Sequence, residues 1–387
     1  MRKIKTLNEI SPVWQNVLSR EQYEVGAQAQ NPDAIIVRSA DMHEYEVNPE
    51  LLAVGRAGAG VNNLPLDEFG KKGIVAFNTP GANANAVKEL VLCGLLLGSR
   101  DVVDGIEWAR TLKGQGASVA KLVEKGKSRF VGPELKGKTL GVIGLGGIGG
   151  LVANAAAALD MRVIGYDPFL SVENAWRLSR HVEHASNQDE VLAASDYVTL
   201  HVPLMDATRA SFNAGVFSRM KKGAVLLNFA RGELVDTQAL LEALASGQIR
   251  RYVTDFPNDE VLGVPGVVAI PHLGASTPES EDNCVDMVSR QIDQYLTDGS
   301  ILHSVNYPDC QLPAGFRHRL CVLHANVPNM VGQISAMIAE KRINIDSMVN
   351  KSRGPFAYTV LDLDEAADAS VLEKIAALDG VYRVRNL

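Results

Sequence analysis

No stretch of the chain reaches the roughly 18 uninterrupted apolar residues that a membrane-spanning helix needs. Cysteine is scarce: Cys93, Cys284, Cys310 and Cys321 stand alone, with no CxxC pair and no histidine at zinc spacing. That excludes a disulfide scaffold or a zinc module, and reduced thiols point to the cytoplasm. Positive charge is not in excess. Against 45 Asp and Glu there are 38 Lys and Arg, a formal net charge of −7. Neither nucleic acid nor a membrane surface is therefore expected as a partner, and an anionic substrate needs a local cluster of cations. The first ten residues lack an apolar core and a small-residue cleavage site, so no signal peptide is expected. Internal repeats and low-complexity segments are missing too. What remains is ordinary globular composition, 46% hydrophobic and 21% charged, over a length that suits two or three domains.

Short apolar runs at 34–37, 51–54 and 74–77 read as buried strands, each closed by Gly, Asn or Pro. A second series begins at Thr139, with strands expected at 140–143, 162–166, 197–201, 224–228, 252–255 and 267–270. Helical patterns lie between them, which implies parallel strands with crossover helices. The clearest helix is 237–246, with Asp236 placed to cap it and Gly247 to stop it. Residues 308–316 carry two prolines and a glycine and read as a linker. The remainder alternates strand 319–324, helix 330–341, strands 345–349 and 358–363, helix 369–378 and strand 381–384, a βαββαβ order of ferredoxin-like type.

The run Gly144-Leu145-Gly146-Gly147-Ile148-Gly149 follows the strand at 140–143 and precedes an alanine-rich helical segment. In that setting the first glycine permits the turn, Gly146 lets backbone approach a pyrophosphate, and Gly149 allows close helix–strand packing. The free N–H groups of the helix N-terminus favour phosphate. Asp167 ends the next strand, 18 residues after Gly149. A carboxylate there accepts from ribose hydroxyls and repels a 2′-phosphate, so NAD is the expected cofactor. The loop's mid-chain position places another domain before the nucleotide domain, or around it.

Three downstream segments carry a resemblance: Asn228-Phe229-Ala230-Arg231-Gly232, Asp255-Phe256-Pro257-Asn258-Asp259-Glu260, and Pro271-His272-Leu273-Gly274-Ala275. Together with the glycine loop, the chain from about Ala34 to Asn306 resembles the D-isomer-specific 2-hydroxyacid dehydrogenases. The resemblance implies a catalytic set of Arg231, Glu260 and His272. A histidine can take a hydroxyl proton near neutral pH, a carboxylate favours the resulting imidazolium, and an arginine fork binds a carboxylate. Val261 stands where the family often has proline. Asp255 is implied to face the nicotinamide, with His201, Val202, Pro203, Phe229, Ala230, Gly274 and Ala275 placing backbone along the cofactor. Thr79 is implied beside NAD at the domain cleft. Taken singly, each of these residues also reads as an ordinary strand-end, turn or solvated side chain.

Val37-Arg38-Ser39-Ala40 and Gly55-Arg56-Ala57-Gly58-Ala59-Gly60 resemble the substrate loops of the phosphoglycerate-oxidising branch of the family. Arg38, Ser39, Arg56, Ala57, Gly58 and Asn83 are thus candidates to bind 3-phosphoglycerate, with Asp41 a departure because it adds a carboxylate. The C-terminal segment resembles an ACT domain, the small module that binds amino acids. The resemblance makes His324, Asn326 and Asn344 candidates for L-serine, with Asn329 where glycine is usual. The implied fold is α/β: a Rossmann-type doubly wound nucleotide domain (87–278) inserted into a flavodoxin-like substrate domain (1–86 and 279–306), plus an ACT domain (317–387). A homodimer or homotetramer is expected, and no metal. Two alternatives stay open: a glyoxylate/hydroxypyruvate or lactate type of dehydrogenase, and an NAD-sensing corepressor-like binding protein.

Overall fold

The structure, a computed structural model, describes residues 1–313 and 315–387, and residue 314 of the expected linker lies outside the described residues. The chain forms two compact units. One joins Met1–Ala82 to Glu281–Leu387, and the other is the continuous stretch Asn83–Ser280.

The discontinuous unit begins with strands β1 (Arg2–Leu7), β2 (Tyr23–Gly26), β3 (Ala34–Val37), β4 (Ala53–Arg56) and β5 (Val75–Phe77). They form a parallel sheet in the order β2-β1-β3-β4-β5, a flavodoxin-like winding. Strands β1 and β2 have no counterpart in the sequence pattern. Only Ile4 of β1 is buried, so its lysines and arginine hide the period of two. The apolar runs of β3 to β5 are buried because both sheet faces are covered. The long helix Pro278–Asp298 lays Val285, Val288, Ile292 and Tyr295 on one face. A Cβ on Gly55 of β4 would stand 2.2 Å from Val288, so only glycine lets the helix lie this close.

The second unit holds β6 (Thr139–Ile143), β7 (Arg162–Tyr166), β8 (Val182–His184), β9 (Tyr197–Leu200), β10 (Ala224–Asn228), β11 (Ile249–Thr254) and β12 (Val267–Ala269). They are parallel neighbours in the order β12-β11-β10-β9-β6-β7-β8, the doubly wound arrangement of a Rossmann sheet. The crossing point lies between β6 and β9, beside the glycine loop. Strand β8, three partly exposed residues at the sheet edge, carries no apolar signal and escapes sequence reading. The helix Thr237–Ala245 is capped by Asp236, whose carboxylate accepts from Ala239 N.

The C-terminal strands β13 (His318–Ala325), β14 (Ile345–Arg353), β15 (Phe356–Leu363) and β16 (Val381–Asn386) form an antiparallel sheet, β14-β15-β13-β16. Alternate residues divide between two cores. Leu320, Val322, Leu361 and Leu363 face the helices Met330–Glu340 and Ala369–Ala376. Cys321, Leu323, Tyr358 and Val360 enter the same core as the first sheet and the long helix. Buried arginines complete this junction. Arg385 donates to the carbonyls of Tyr295 and Leu296, and Arg319 to that of Asp298, so cations satisfy the last turn of the long helix. Arg319 also forks onto Asp362 at 2.6 and 2.9 Å. Near the start of the expected linker, Cys310 is buried and pairs its backbone with Ile301.

Candidate active site

In the Asn83–Ser280 unit, β6 delivers the chain into the glycine loop. Gly144 has φ +90°, and a Cβ there would lie 2.6 Å from the His201 carbonyl. A Cβ on Gly149 would lie 1.9 Å from the Gly144 carbonyl. A Cβ on Gly146 would meet nothing within 4 Å, so that face of the loop is open to an incoming group. The helix Gly147–Ala158 starts at Gly146 without any side-chain cap, leaving its first N–H groups, including those of Gly147 and Ile148, for a ligand. Asp167 ties the loop down: one oxygen accepts from Leu145 N and the other from Phe169 N, both at 2.9 Å. Each oxygen keeps a lone pair for a hydroxyl.

Where the Rossmann strands end, the expected catalytic residues separate into a pair and a third. The ring of His272 lies 4.4 Å from that of Phe256, tilted by 45°. The Arg231 guanidinium is 5.9 Å from the same phenyl ring, with one N–H on the Ala230 carbonyl. Phe256 therefore gathers the arginine and the histidine. Glu260 is bonded elsewhere: its Oε2 accepts from Gln238 Nε2 at 2.6 Å. Among the described residues no hydrogen bond joins Glu260 to His272. Phe256 and Gln238 were not singled out by sequence, because an apolar residue in a motif and an amide on a helix carry no chemical signature alone.

Asp255 is buried. One carboxylate oxygen accepts from Gly274 N at 3.1 Å, and the other is enclosed with no hydrogen-bond partner among the described residues. Burial raises its pKa, while the Gly274 N–H and the charges of His272 and Arg231 oppose the rise. His201 is held neutral, its pKa pushed down by burial to about 3. Its ring meets Thr199 Oγ1 at 3.0 Å. Phe229 packs against the helix Ala84–Ser99, where a Cβ on Gly94 would strike its ring. Ala230 N donates to Asn228, and the Pro203 carbonyl accepts from Thr208. Val202 and Ala230 pack at the border of the core below, and Ala275 is half-buried beside Gly274. Asn83 opens the helix Ala84–Ser99 with its Oδ1 buried and without a partner among the described residues.

The anion-binding candidates of the other unit lie on the loops after β3 and β4. Asn8, with φ +70°, accepts through its side chain from the backbone N–H groups of Arg38, Ser39 and Ala40 and so shapes the first loop. Arg56 Nε donates to the Arg38 carbonyl. Its guanidinium curls over the second loop, 2.7 Å from where a Cβ on Gly58 would be. Ala57 N bonds to Val37 O, and Thr79 N to Gly58 O. The Thr79 side chain is buried beside the Cys284 thiol. Arg38 pairs with Glu281 at 2.5 Å, a partner 243 residues away that local sequence cannot reveal. Asp41 turns instead to His43, accepting from its backbone N–H at 3.0 Å and meeting its ring.

In the C-terminal sheet, both ring nitrogens of His324 are engaged, by the Ala325 carbonyl and Thr359 Oγ1. Asn326 Nδ2 donates to Gly354 O. Asn344 bonds to Asp364 and Asp346, at the opposite end of the β14–β15 ladder. One copy of the chain thus brings His324 and Asn326 near one another and leaves Asn344 apart. Asn329 has φ +66°, a left-handed position that asparagine tolerates in place of the usual glycine.

Comparison with known proteins decides the family. Residues 102–274 match the D-isomer specific 2-hydroxyacid dehydrogenase NAD binding domain. The chain is 33% identical to a D-3-phosphoglycerate dehydrogenase of Haemophilus influenzae, over 88% of this chain and 82% of that one. It is also 33% identical to the enzyme of that name from Escherichia coli, over 87% and 82%. The chain belongs to the D-isomer specific 2-hydroxyacid dehydrogenases. Its fold is shared with the NAD-bound 3-phosphoglycerate dehydrogenase of Entamoeba histolytica, with a TM-score of 0.61 at 24% identity, over 79% of this chain and 98% of that one.

A member of this family is an NAD-dependent oxidoreductase, and the residues present fit NAD. The uncapped helix start and the open face at Gly146 suit a pyrophosphate. The orphaned Asp255 oxygen is an acceptor that a carboxamide N–H would satisfy. No group of three or more metal-ligating side chains occurs among the described residues. No helix of the described residues is long and apolar enough to cross a membrane.

Proposed function

We propose that the chain oxidises 3-phospho-D-glycerate to 3-phosphohydroxypyruvate with NAD, the first step of the phosphorylated route to serine. The observation that carries this reading is the meeting of Arg231 and His272 about Phe256 in an NAD-binding unit. His272 takes the hydroxyl proton, and Glu260 favours the imidazolium that results. Arg231 binds the substrate carboxylate and polarises the reacting oxygen. NAD supplies the hydride acceptor when bound. Thr79, His201, Asp255 and the backbone near Val202, Pro203, Phe229, Ala230, Gly274 and Ala275 hold the cofactor. Arg38, Arg56 and Asn83, with the N–H groups of Ser39, Ala57 and Gly58, hold the substrate's anionic ends.

In this reading residues 1–86 and 279–306 bind substrate, 87–278 bind NAD, and 317–387 are an ACT domain. Because Asn344 lies far from Asn326 within one chain, a serine site using both would draw them from two copies. Self-association is supported by exposed Leu96, Val102, Val103, Ile106, Val123 and Val131, five of them on helices or their flanks with little burial of their own. The four free cysteines suit a cytoplasmic setting. One observation favours a second reading, an unphosphorylated D-2-hydroxy acid: Arg38 already has a carboxylate partner in Glu281.

The test is NADH production from NAD over a panel of D-2-hydroxy acids, with and without L-serine. Turnover of 3-phosphoglycerate supports the proposal. Turnover restricted to unphosphorylated acids selects the second reading, and silence across the panel removes both.

A further inference from the structure

The bond between Gln238 and Glu260 has no place in the proton-transfer scheme, yet it occupies one oxygen of the carboxylate that the scheme requires. The two residues come from elements that are fixed independently. Gln238 sits in the first turn of the helix Thr237–Ala245, which is held by its Asp236 cap and by buried Leu240 and Ala243. The loop of Glu260 is pinned on both sides. Asn258 Nδ2 donates to Thr237 Oγ1 at 3.2 Å, and Asn258 Oδ1 accepts from Val261 N at 3.1 Å. Val261 itself is buried. Between these anchors the Glu260 side chain is exposed and is held by Gln238. Its engagement with Gln238 is therefore set by its own rotamer on a loop anchored at Asn258 and Val261.

We infer that Gln238 is a positioning residue for the reaction, holding the Glu260 carboxylate while His272 is neutral and yielding it once His272 carries the substrate proton. This rests on the proposed roles of Glu260 and His272. The chemistry sets the order of preference. A carboxylate gains an ordinary hydrogen bond from an amide N–H. From an imidazolium it gains a hydrogen bond and, in addition, the attraction of a full opposite charge, which a neutral amide does not supply. The amide can therefore hold Glu260 against a neutral ring and loses it to a charged one. The consequence concerns the resting enzyme: a carboxylate fixed on His272 from the outset would favour the charged ring before substrate arrives. Gln238 keeps the base available.

The test measures kcat/KM for oxidation against pH, with NAD saturating and the best hydroxy acid of the panel. It compares wild type, Gln238→Leu, Gln238→Met, Glu260→Gln and the Gln238→Leu/Glu260→Gln double variant. NADH binding followed by fluorescence checks that each variant folds. The acid limb of the profile should move up by about 0.5–1 pH unit in both Gln238 variants, a loss of roughly 3- to 10-fold on that limb. In the Glu260→Gln background the Gln238 change should produce no movement. A limb that stays or moves down in Gln238→Leu and Gln238→Met, while Glu260→Gln shifts it, overturns the role of Gln238 alone. A profile unaltered by Glu260→Gln overturns the proposed role of Glu260, and this inference with it.

Discussion

Asp255→Asn opposes two properties that the wild-type residue trades against each other. The carboxylate is buried, one oxygen is satisfied by Gly274 N, and the other has no partner among the described residues. An enclosed acceptor left unsatisfied costs about 1–3 kcal/mol. The pKa of Asp255 is raised above its ordinary 3.8, so the folded protein holds this proton more tightly than the unfolded chain. The sign follows: the penalty is absent well below the ordinary value and grows as pH rises through the folded one. Asparagine cannot carry the charge. If its oxygen keeps Gly274 N, the cofactor-free protein gains about 1–2 kcal/mol at neutral pH and several degrees in Tm, at roughly 2–4 °C per kcal/mol for a unit of this size. The amide N–H groups then point where the proposed carboxamide donor arrives, and NAD affinity should fall by roughly 5- to 150-fold. If the amide turns the other way, affinity is spared and the stability gain disappears, because two donors then face each other at Gly274. Scanning calorimetry at pH 7 and pH 4, with NAD titration at pH 7, reads both quantities. A variant that is more stable at pH 7 and binds NAD as tightly as wild type would refute the reasoning.

Other expectations are simpler. Gly149→Ala pushes a methyl group against the Gly144 carbonyl, and a backbone shift costing about 1–3 kcal/mol should weaken NAD binding at least several-fold in a titration. Glu281→Gln releases Arg38 from its ion pair; KM for a phosphorylated substrate should fall about 2- to 5-fold at low salt, and an unchanged KM would remove Arg38 from the anion site. Arg319→Met strands Asp362 and the Asp298 carbonyl beside a core, and urea unfolding should show a loss of roughly 3 kcal/mol. His201 has a folded pKa of about 3 against 6.5 unfolded, so its contribution is full above pH 6.5 and is lost as pH falls toward 3. His201→Gln should flatten the stability–pH curve over that window, by up to roughly 1.4 kcal/mol per pH unit.

Among the elements that sequence made legible, those whose burial is total show the plainest signal. Strands β3, β5, β6, β9 and β10 are continuous apolar runs because both sheet faces are covered, and the glycine loop is readable because Gly144 and Gly149 admit no side chain. Strand β1 hides behind its charged residues, and β8 behind its length and exposure. At the site, the motifs' resemblance to a known family pointed to Arg231, Glu260 and His272, whereas their partners stayed hidden. Gln238 reaches Glu260 across 22 residues, and Glu281 reaches Arg38 across 243. Such pairings are set by rotamers and by strand order, and no local pattern encodes either.

The split of the chain into a continuous unit and a discontinuous one has a consequence during synthesis. Met1–Ala82 emerge first, but the part of the helix and the sheet that cover their core lie in Glu281–Leu387. At roughly 5–20 residues per second, the remaining 300 or so residues take on the order of 15–60 s to appear. Over that interval the Asn83–Ser280 unit can fold behind the ribosome, while the apolar strands ahead of it wait uncovered. A nascent chain arrested before residue 281 should therefore expose its first 82 residues to chaperones and proteases and protect the next 198.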